Sequence, residues 1–341
     1  MPTLAMALVV ACYAPAPESG SPCNVDTDCP SVFVCSPRMR CALPGTDLPS
    51  EDASIEPMLD SCLPRAEICG NGLDEDCDGN DPACIDNDGP AGAIDVTAGG
   101  VFTGSLQYAT DDVLANGCGE DGGRDVFFRV VLNAPQVYYF DTFGSTYDTV
   151  IRVFRRSCDE VGTGPGVTAC AIDACGGAQS QLALSLPAGE SCIVIDQRDP
   201  SQPPGELALR VIRGGRDGLP LARGSRTSIG DTCDATNVTE PVDQNCDGPG
   251  TGGKEHAYFF TACPGETLRL DADTCPPPGW DPMLYVKRAS GAQLACNDDA
   301  CGLGARLTNI ELANSLLYFL YIDGFHENEC GPYALDTNLR P

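Results

Sequence analysis

The stretch Ala169-Cys170-Ala171-Ile172-Asp173-Ala174-Cys175-Gly176 returns as Ala295-Cys296-Asn297-Asp298-Asp299-Ala300-Cys301-Gly302. Matches extend to both sides. Upstream, Tyr147-Asp148-Thr149-Val150-Ile151-Arg152-Val153 aligns with Trp280-Asp281-Pro282-Met283-Leu284-Tyr285-Val286. Downstream, Cys192-Ile193-Val194-Ile195-Asp196 aligns with Phe319-Leu320-Tyr321-Ile322-Asp323. Cys170 precedes Asp196 by 26 residues and Cys296 precedes Asp323 by 27, so spacing repeats along with residue type. One structural unit of about 120 residues is therefore made twice.

Each copy has β character. Asp125-Val126-Phe127-Phe128-Arg129-Val130-Val131 and Gln136-Val137-Tyr138-Tyr139-Phe140-Asp141 are β-rich runs separated by the turn Asn133-Ala134-Pro135. Gln181-Leu182-Ala183-Leu184-Ser185-Leu186 alternates at period two, and Pro187-Ala188-Gly189-Glu190 turns into the next run. Strands at intervals of about 8–12 residues with Gly/Pro turns, and no helical periodicity of useful length, predict sandwiches. The expected fold is mainly β: two tandem antiparallel β-sandwich domains, 91–214 and 215–341, preceded by small disulfide-rich segments. The order of features resembles the bacterial pre-peptidase C-terminal domain, where a Y-D-T-x-L-x-V strand is followed by A-x-N-D-D, an alternating strand and Y-x-I-x-V-D-G. The second copy keeps Asn297-Asp298-Asp299 and Ile322-Asp323-Gly324, whereas the first has Ala171-Ile172-Asp173. The resemblance implies a cation-binding loop at Asn297, Asp298 and Asp299 only.

Composition narrows the function. Forty-nine acidic against 20 basic residues leave a formal charge of −29 in 341 residues. Nucleic acid is excluded as a natural partner, since phosphate binding needs a basic face. A polybasic dock on anionic lipid is excluded likewise. The 21 cysteines point to an oxidising compartment and a disulfide framework. Leu4–Ala11 is a short apolar run ending in Val9-Val10-Ala11-Cys12. It resembles a bacterial lipobox, which implies a signal peptide over 1–11 and lipidation of Cys12; an ordinary secretory signal is the alternative. Removing Cys12 leaves 20 thiols, enough for ten disulfides. The first copy holds five cysteines and the second seven, so one bridge between copies balances them or two thiols stay free. Cys170 with Cys175, and Cys296 with Cys301, are expected as local loops.

Residues 12–21 form a Pro/Ser tether. Over 22–42, Cys23, Cys29, Cys35 and Cys41 recur every six residues, a knot too small to fold without cross-links. It resembles short cysteine-rich modules of myxobacterial-type surface proteins. A second linker covers 43–61. The acidic segment 62–90 contains Asp74-Glu75-Asp76-Cys77-Asp78-Gly79-Asn80-Asp81. Asp74, Asp76 and Asp78 alternate as in a calcium loop, Gly79 permits a sharp turn, and Asn80 and Asp81 complete the candidate ligands. The residue where an EF-hand carries its bidentate Glu is Ile85, so this is not an EF-hand. The segment resembles the N-G-x-D-x-D-C-D-G putative metal-binding motif of delta-proteobacterial surface proteins. All-oxygen ligands suit Ca²⁺ as a structural ion better than copper. A solvated acidic turn tied by disulfides is the alternative.

Catalytic motifs are absent from the sequence. His256 and His326 stand outside any H-E-x-x-H or Cys/His pattern, and there is no nucleophile elbow, Walker loop or dinucleotide fingerprint. Trp280, the one tryptophan, aligns with Tyr147 and is expected as a core aromatic, with a sugar platform as the alternative. The expected function is non-enzymatic: an exported, lipid-anchored surface protein whose cation-stabilised sandwiches bind carbohydrate, matrix or another envelope protein. Accessory domains of a secreted protease system are one alternative, and metal scavenging by the acidic segment is another.

Overall fold

The computed structural model describes Cys29, 34–35, 41–42, 85–113, 118–119, 123–162, 166–241, 246, 253–276 and 278–341. The chain forms two units, Met1–Pro64 and Arg65–Pro341. In the first, β1 (Val34–Cys35) pairs antiparallel with β2 (Cys41–Ala42), and a Cys29–Cys41 disulfide ties the pair. The cross-link spans 12 residues and fixes the two short strands to each other.

The second unit holds both repeats. The first copy comprises β3 (Ile94–Asp95), β4 (Gly100–Ser105), β5 (Asp125–Leu132), β6 (Gln136–Asp141), β7 (Thr149–Phe154), β8 (Ala169–Ala171), β9 (Gln181–Leu186), β10 (Gly189–Gln197) and β11 (Glu206–Arg213). The second comprises β12 (Leu219–Pro220), β13 (Gly224–Asp231), β14 (His256–Thr261), β15 (Leu268–Asp273), β16 (Pro282–Arg288), β17 (Gln293–Asn297), β18 (Arg306–Leu312), β19 (Leu317–Gly324) and β20 (Pro332–Arg340). Sheet order is the same in both. A five-stranded sheet, β3-β5-β10-β7-β8, faces a four-stranded one, β4-β11-β6-β9, and β12-β14-β19-β16-β17 faces β13-β20-β15-β18. Even the short parallel first strand recurs, β3 on β5 and β12 on β14. Each pair of sheets closes over its own core, one around Phe128, Tyr138, Phe140 and Ile195, the other around Phe260, Leu284, Tyr318 and Leu335.

The two sandwiches stack head to tail. A third apolar cluster joins Val137 and Tyr139, on the outer face of the first four-stranded sheet, to Ala257, Phe259, Met283, Tyr285, Phe319 and Tyr321, on the outer face of the second five-stranded sheet. Strands buried on both faces lose their alternation. β6 is accordingly Gln-Val-Tyr-Tyr-Phe-Asp, with five of its six residues buried. Gly214 in the connecting segment is required by this closeness: a Cβ there would meet the Phe319 ring at 2.6 Å and the Val137 carbonyl at 2.9 Å.

The cysteines correct the expected local loops. Cys170 pairs with Cys118 and Cys296 with Cys246, so these two bridges are repeat-equivalent. Cys301 pairs with Cys275, and Cys175 crosses to Cys263 in the other copy. That last bond balances the odd counts. Cys158–Cys192 and Cys233–Cys330 complete the pairing of all twelve cysteines of the two copies (five plus seven). Cys170 and Cys296 lie in strands, β8 and β17, and the covering segments bring Cys118 and Cys246 to Cα separations of 6.4 and 5.4 Å from them, within bridging range, while Cys175 and Cys301 sit in the turns beyond.

Candidate binding surface

Asp74, Asp76, Asp78, Asn80, Asp81 and Cys12 lie outside the described residues. The expected second cation loop is described. Asn297 Oδ1 accepts from Arg306 N at 2.8 Å, and Asp298, 4% exposed, takes the Asp299 N–H at 2.9 Å. Asp281 stands nearby; burial, then Glu329, Asp299 and Asp298, push its carboxyl up to about 6. The first copy shows what balances this arrangement there. Arg198 N donates to the Asp148 carbonyl as Phe325 N does to that of Asp281, so Arg198 and Phe325 are equivalent. The Arg198 guanidinium pairs with Asp148 at 3.6 Å and also with Asp173, the counterpart of Asp299. In the second copy phenylalanine replaces that cation beside the same carboxylates. Among the described residues no three His, Cys, Asp or Glu side chains converge into a ready metal cage.

A second set of polar groups, buried and invisible to motif reading, occupies equivalent positions in both copies. Asp125 Oδ2 accepts the N–H groups of Asp112 and Val113, at 3.1 and 2.9 Å. Its counterpart Glu255 accepts those of Val238 and Thr239. Asp125 lies opposite Asp196 of β10, and Glu255, just before β14, acts electrostatically on Asp323. Arg152 and Tyr285, equivalent again, donate to the same covering segments, at Val113 O (2.9 Å) and Thr239 O (3.1 Å). Arg152 also pairs with Asp196, and Tyr285 with Asp323 at 2.9 Å. Burial and the nearby Asp196 raise the Asp125 carboxyl well above the ordinary carboxylate range, and burial pushes Asp323 up to about 8. These groups fix the segments that cross the five-stranded sheets. Arg152, Tyr285, Glu255 and one oxygen of Asp125 are taken up by protein groups, while Asp125 Oδ1 and Asp323 Oδ1 have no hydrogen-bond partner.

The two histidines and the tryptophan are also structural. His256 opens β14, half-buried, with Nδ1 2.8 Å from the Tyr333 hydroxyl; burial and Arg216 lower its pKa. His326 lies in an exposed turn, its N–H donating to Glu329. Trp280 packs against the second core and donates Nε1–H to Pro332 O at 2.9 Å.

The surface that stands apart is the outer face of β13-β20-β15-β18. Register places Asp271 beside Asn338, as Tyr139 lies beside Ile212 in the first copy, and Arg269 stands where Val137 does. One apolar, covered face and one polar, open face thus occupy the same place in the two copies. A row of polar side chains crosses all four strands: Thr227, Asp336, Asp273 and Arg306. Thr227 donates to Asp336, and Arg306 Nε donates to Asp273 Oδ2 at 2.8 Å. The next row is Ser225, Asn338 and Asp271. Here β18 bulges between Leu307 and Ile310, with Asn309 in the left-handed region at φ +51°. An extra residue re-aims a strand; Asn309 N reaches Asp271 Oδ1 at 2.6 Å and its Oδ1 accepts from Arg340. The rows line an open groove of about 460 Å³. Motif reading missed this face. The signal that finds it is β15, whose alternating Leu-Arg-Leu-Asp-Ala-Asp contrasts with its apolar counterpart β6.

The chain matches no protein-family profile and has no significant match among curated proteins. Among solved structures, the pre-peptidase C-terminal domain of collagenase from Bacillus anthracis aligns over 95% of its length with 36% of this chain, at 13% identity and a TM-score of 0.24. The CUB1-EGF-CUB2 region of human MASP-1/3 aligns over 99% of its length with 70% of this chain, at 10% identity and a TM-score of 0.17. Both likenesses are weak, and the tandem sandwich stands on the strand pairing itself.

Proposed function

We propose that this chain is an exported, lipid-anchored cell-surface protein without catalytic activity, whose calcium-stabilised tandem sandwiches act as a binding or adhesion module. One observation carries the reading. The outer four-stranded face is apolar and covered in the first copy, but polar, grooved and open in the second. A stacked array needs a polar terminal face for solubility alone. Solubility does not require the rows of hydrogen-bonding side chains, the bulge and the groove that this face adds. Disulfides that lock the stack, including one between the copies, support display outside the cell, where thiols oxidise. No helix among the described residues is long and apolar enough to cross a membrane, which is compatible with anchoring by lipid.

The test is co-sedimentation of the full oxidised chain, in calcium, with insoluble polysaccharides, fibrous matrix protein and cell-envelope fragments. Saturable retention on at least one is expected. Retention on none contradicts the reading.

A further inference from the structure

We infer that the groove on the outer face of β13-β20-β15-β18 binds a neutral polyhydroxylated ligand, a few sugar units of a polysaccharide laid across the strands. The assignment rests on the binding-module reading and supplies its ligand class.

Charge is the first argument. The chain as a whole carries −29, yet the groove is lined by Asp271, Asp273 and Asp336 together with Arg226 and Arg306, and Arg340 reaches Asp271 from beside it. The ion pairs Arg306–Asp273 and Arg340–Asp271 neutralise two of the three carboxylates inside the sheet, and Asp336 accepts from Thr227. A polyanion or a basic protein surface finds most of the charge here already paired, whereas complementary potentials are what such partners use.

Hydrogen-bonding chemistry is the second. A sugar hydroxyl both donates and accepts, so a polyol needs donors and acceptors interleaved at close spacing. Neighbouring strands supply that spacing, about 4.8 Å. Across it run a hydroxyl at Thr227, carboxylates at Asp336 and Asp273 and a guanidinium at Arg306, with an amide at Asn338 in the next row. Arg306 has five N–H donors, of which Asp273 takes one, and each carboxylate oxygen accepts more than one hydrogen bond. Ion pairing within the sheet also pre-orients these side chains, which lowers the ordering cost of binding.

The first copy supplies a contrast. Protein docking at the equivalent face uses Tyr139, Val137 and Ile212, with aromatic partners opposite. Aromatic anchors dominate protein interfaces. The second copy has Asp271, Arg269 and Asn338 in those positions, which removes the anchors and leaves the polar lattice.

The experiment presents the full oxidised chain, in calcium, to a panel of immobilised neutral and acidic oligosaccharides. The strongest soluble binder is then titrated calorimetrically into the wild type, Asp336→Ala, Asn338→Ala and a remote control, Val101→Ser. Melting curves confirm that each variant folds. Neutral glycans are expected to bind, with at least tenfold weaker affinity for Asp336→Ala and Asn338→Ala and no change for Val101→Ser. Glycan binding that survives both groove substitutions overturns the groove assignment and leaves the binding-module reading standing. Retention by acidic glycans only, or by matrix protein only, overturns the ligand class. Retention by nothing in either this panel or the co-sedimentation overturns both.

Discussion

Arg152 has no exposed surface and Asp196 has 1%, so neither charge is relieved by water. The guanidinium is satisfied by Asp196 and by the carbonyls of Val113 and Cys118. Removing one partner of such a pair strands the other, at about 3–5 kcal/mol. Arg152→Leu is therefore expected to destabilise the chain by that order in denaturant melts, and to free the segment over the first five-stranded sheet for proteolysis. The raised carboxyls give a pH dependence. Asp125 and Asp323 hold protons in the folded chain that the unfolded chain releases near pH 4. The folded state then binds more protons from about pH 4 up to about 8, so stability falls as pH rises through that window. Melts at pH 5 and pH 8.5 should differ by on the order of 1–3 kcal/mol, with the lower pH more stable. Asp323→Asn should shrink the difference; an unchanged slope would remove Asp323 from the account. None of this was legible in a chain where carboxylates are everywhere. Only strand register shows which of them face each other in the interior.

At the scale of elements, the repeat and its β character were plain, because period-two runs and Gly/Pro turns are local signals. Cysteine partners were not, because they depend on where a covering segment lies. Cys118 comes from the segment between β4 and β5, and Cys246 from the one between β13 and β14. Each ties its segment down beside the buried acid that accepts that segment's N–H groups, or their equivalents. Replacing Cys118 and Cys170 together by Ser is expected to cost about 2–4 kcal/mol. Limited proteolysis should then open the chain between β4 and β5 first; a cut elsewhere would deny the bridge that role. The expected site suffered a different limit. The acidic segment is a local pattern and easily read. The polar face comes from β13, β15, β18 and β20, strands spread over more than 100 residues, and was visible only as a difference between two copies.

For the whole molecule, stacking through apolar faces predicts that the copies stabilise each other. Phe319 is buried at that interface, and Phe319→Ala should cost about 3–5 kcal/mol and loosen the stack. Cys175, exposed on the surface, holds the only disulfide between the copies. The calcium proposal is a whole-molecule claim as well: an ion bound by the folded chain alone raises stability by mass action. Millimolar Ca²⁺ is expected to raise the melting temperature, and Asp76→Ala to remove most of that rise; no change with chelator would refute it. The second copy's outer sheet is, on this reading, the working face. Hydrogen-exchange mass spectrometry of the full oxidised chain, with and without the polysaccharide it retains, tests this most directly. Protection is predicted in peptides covering β13, β15, β18 and β20. Protection confined to the first copy, with those strands unchanged, would contradict it.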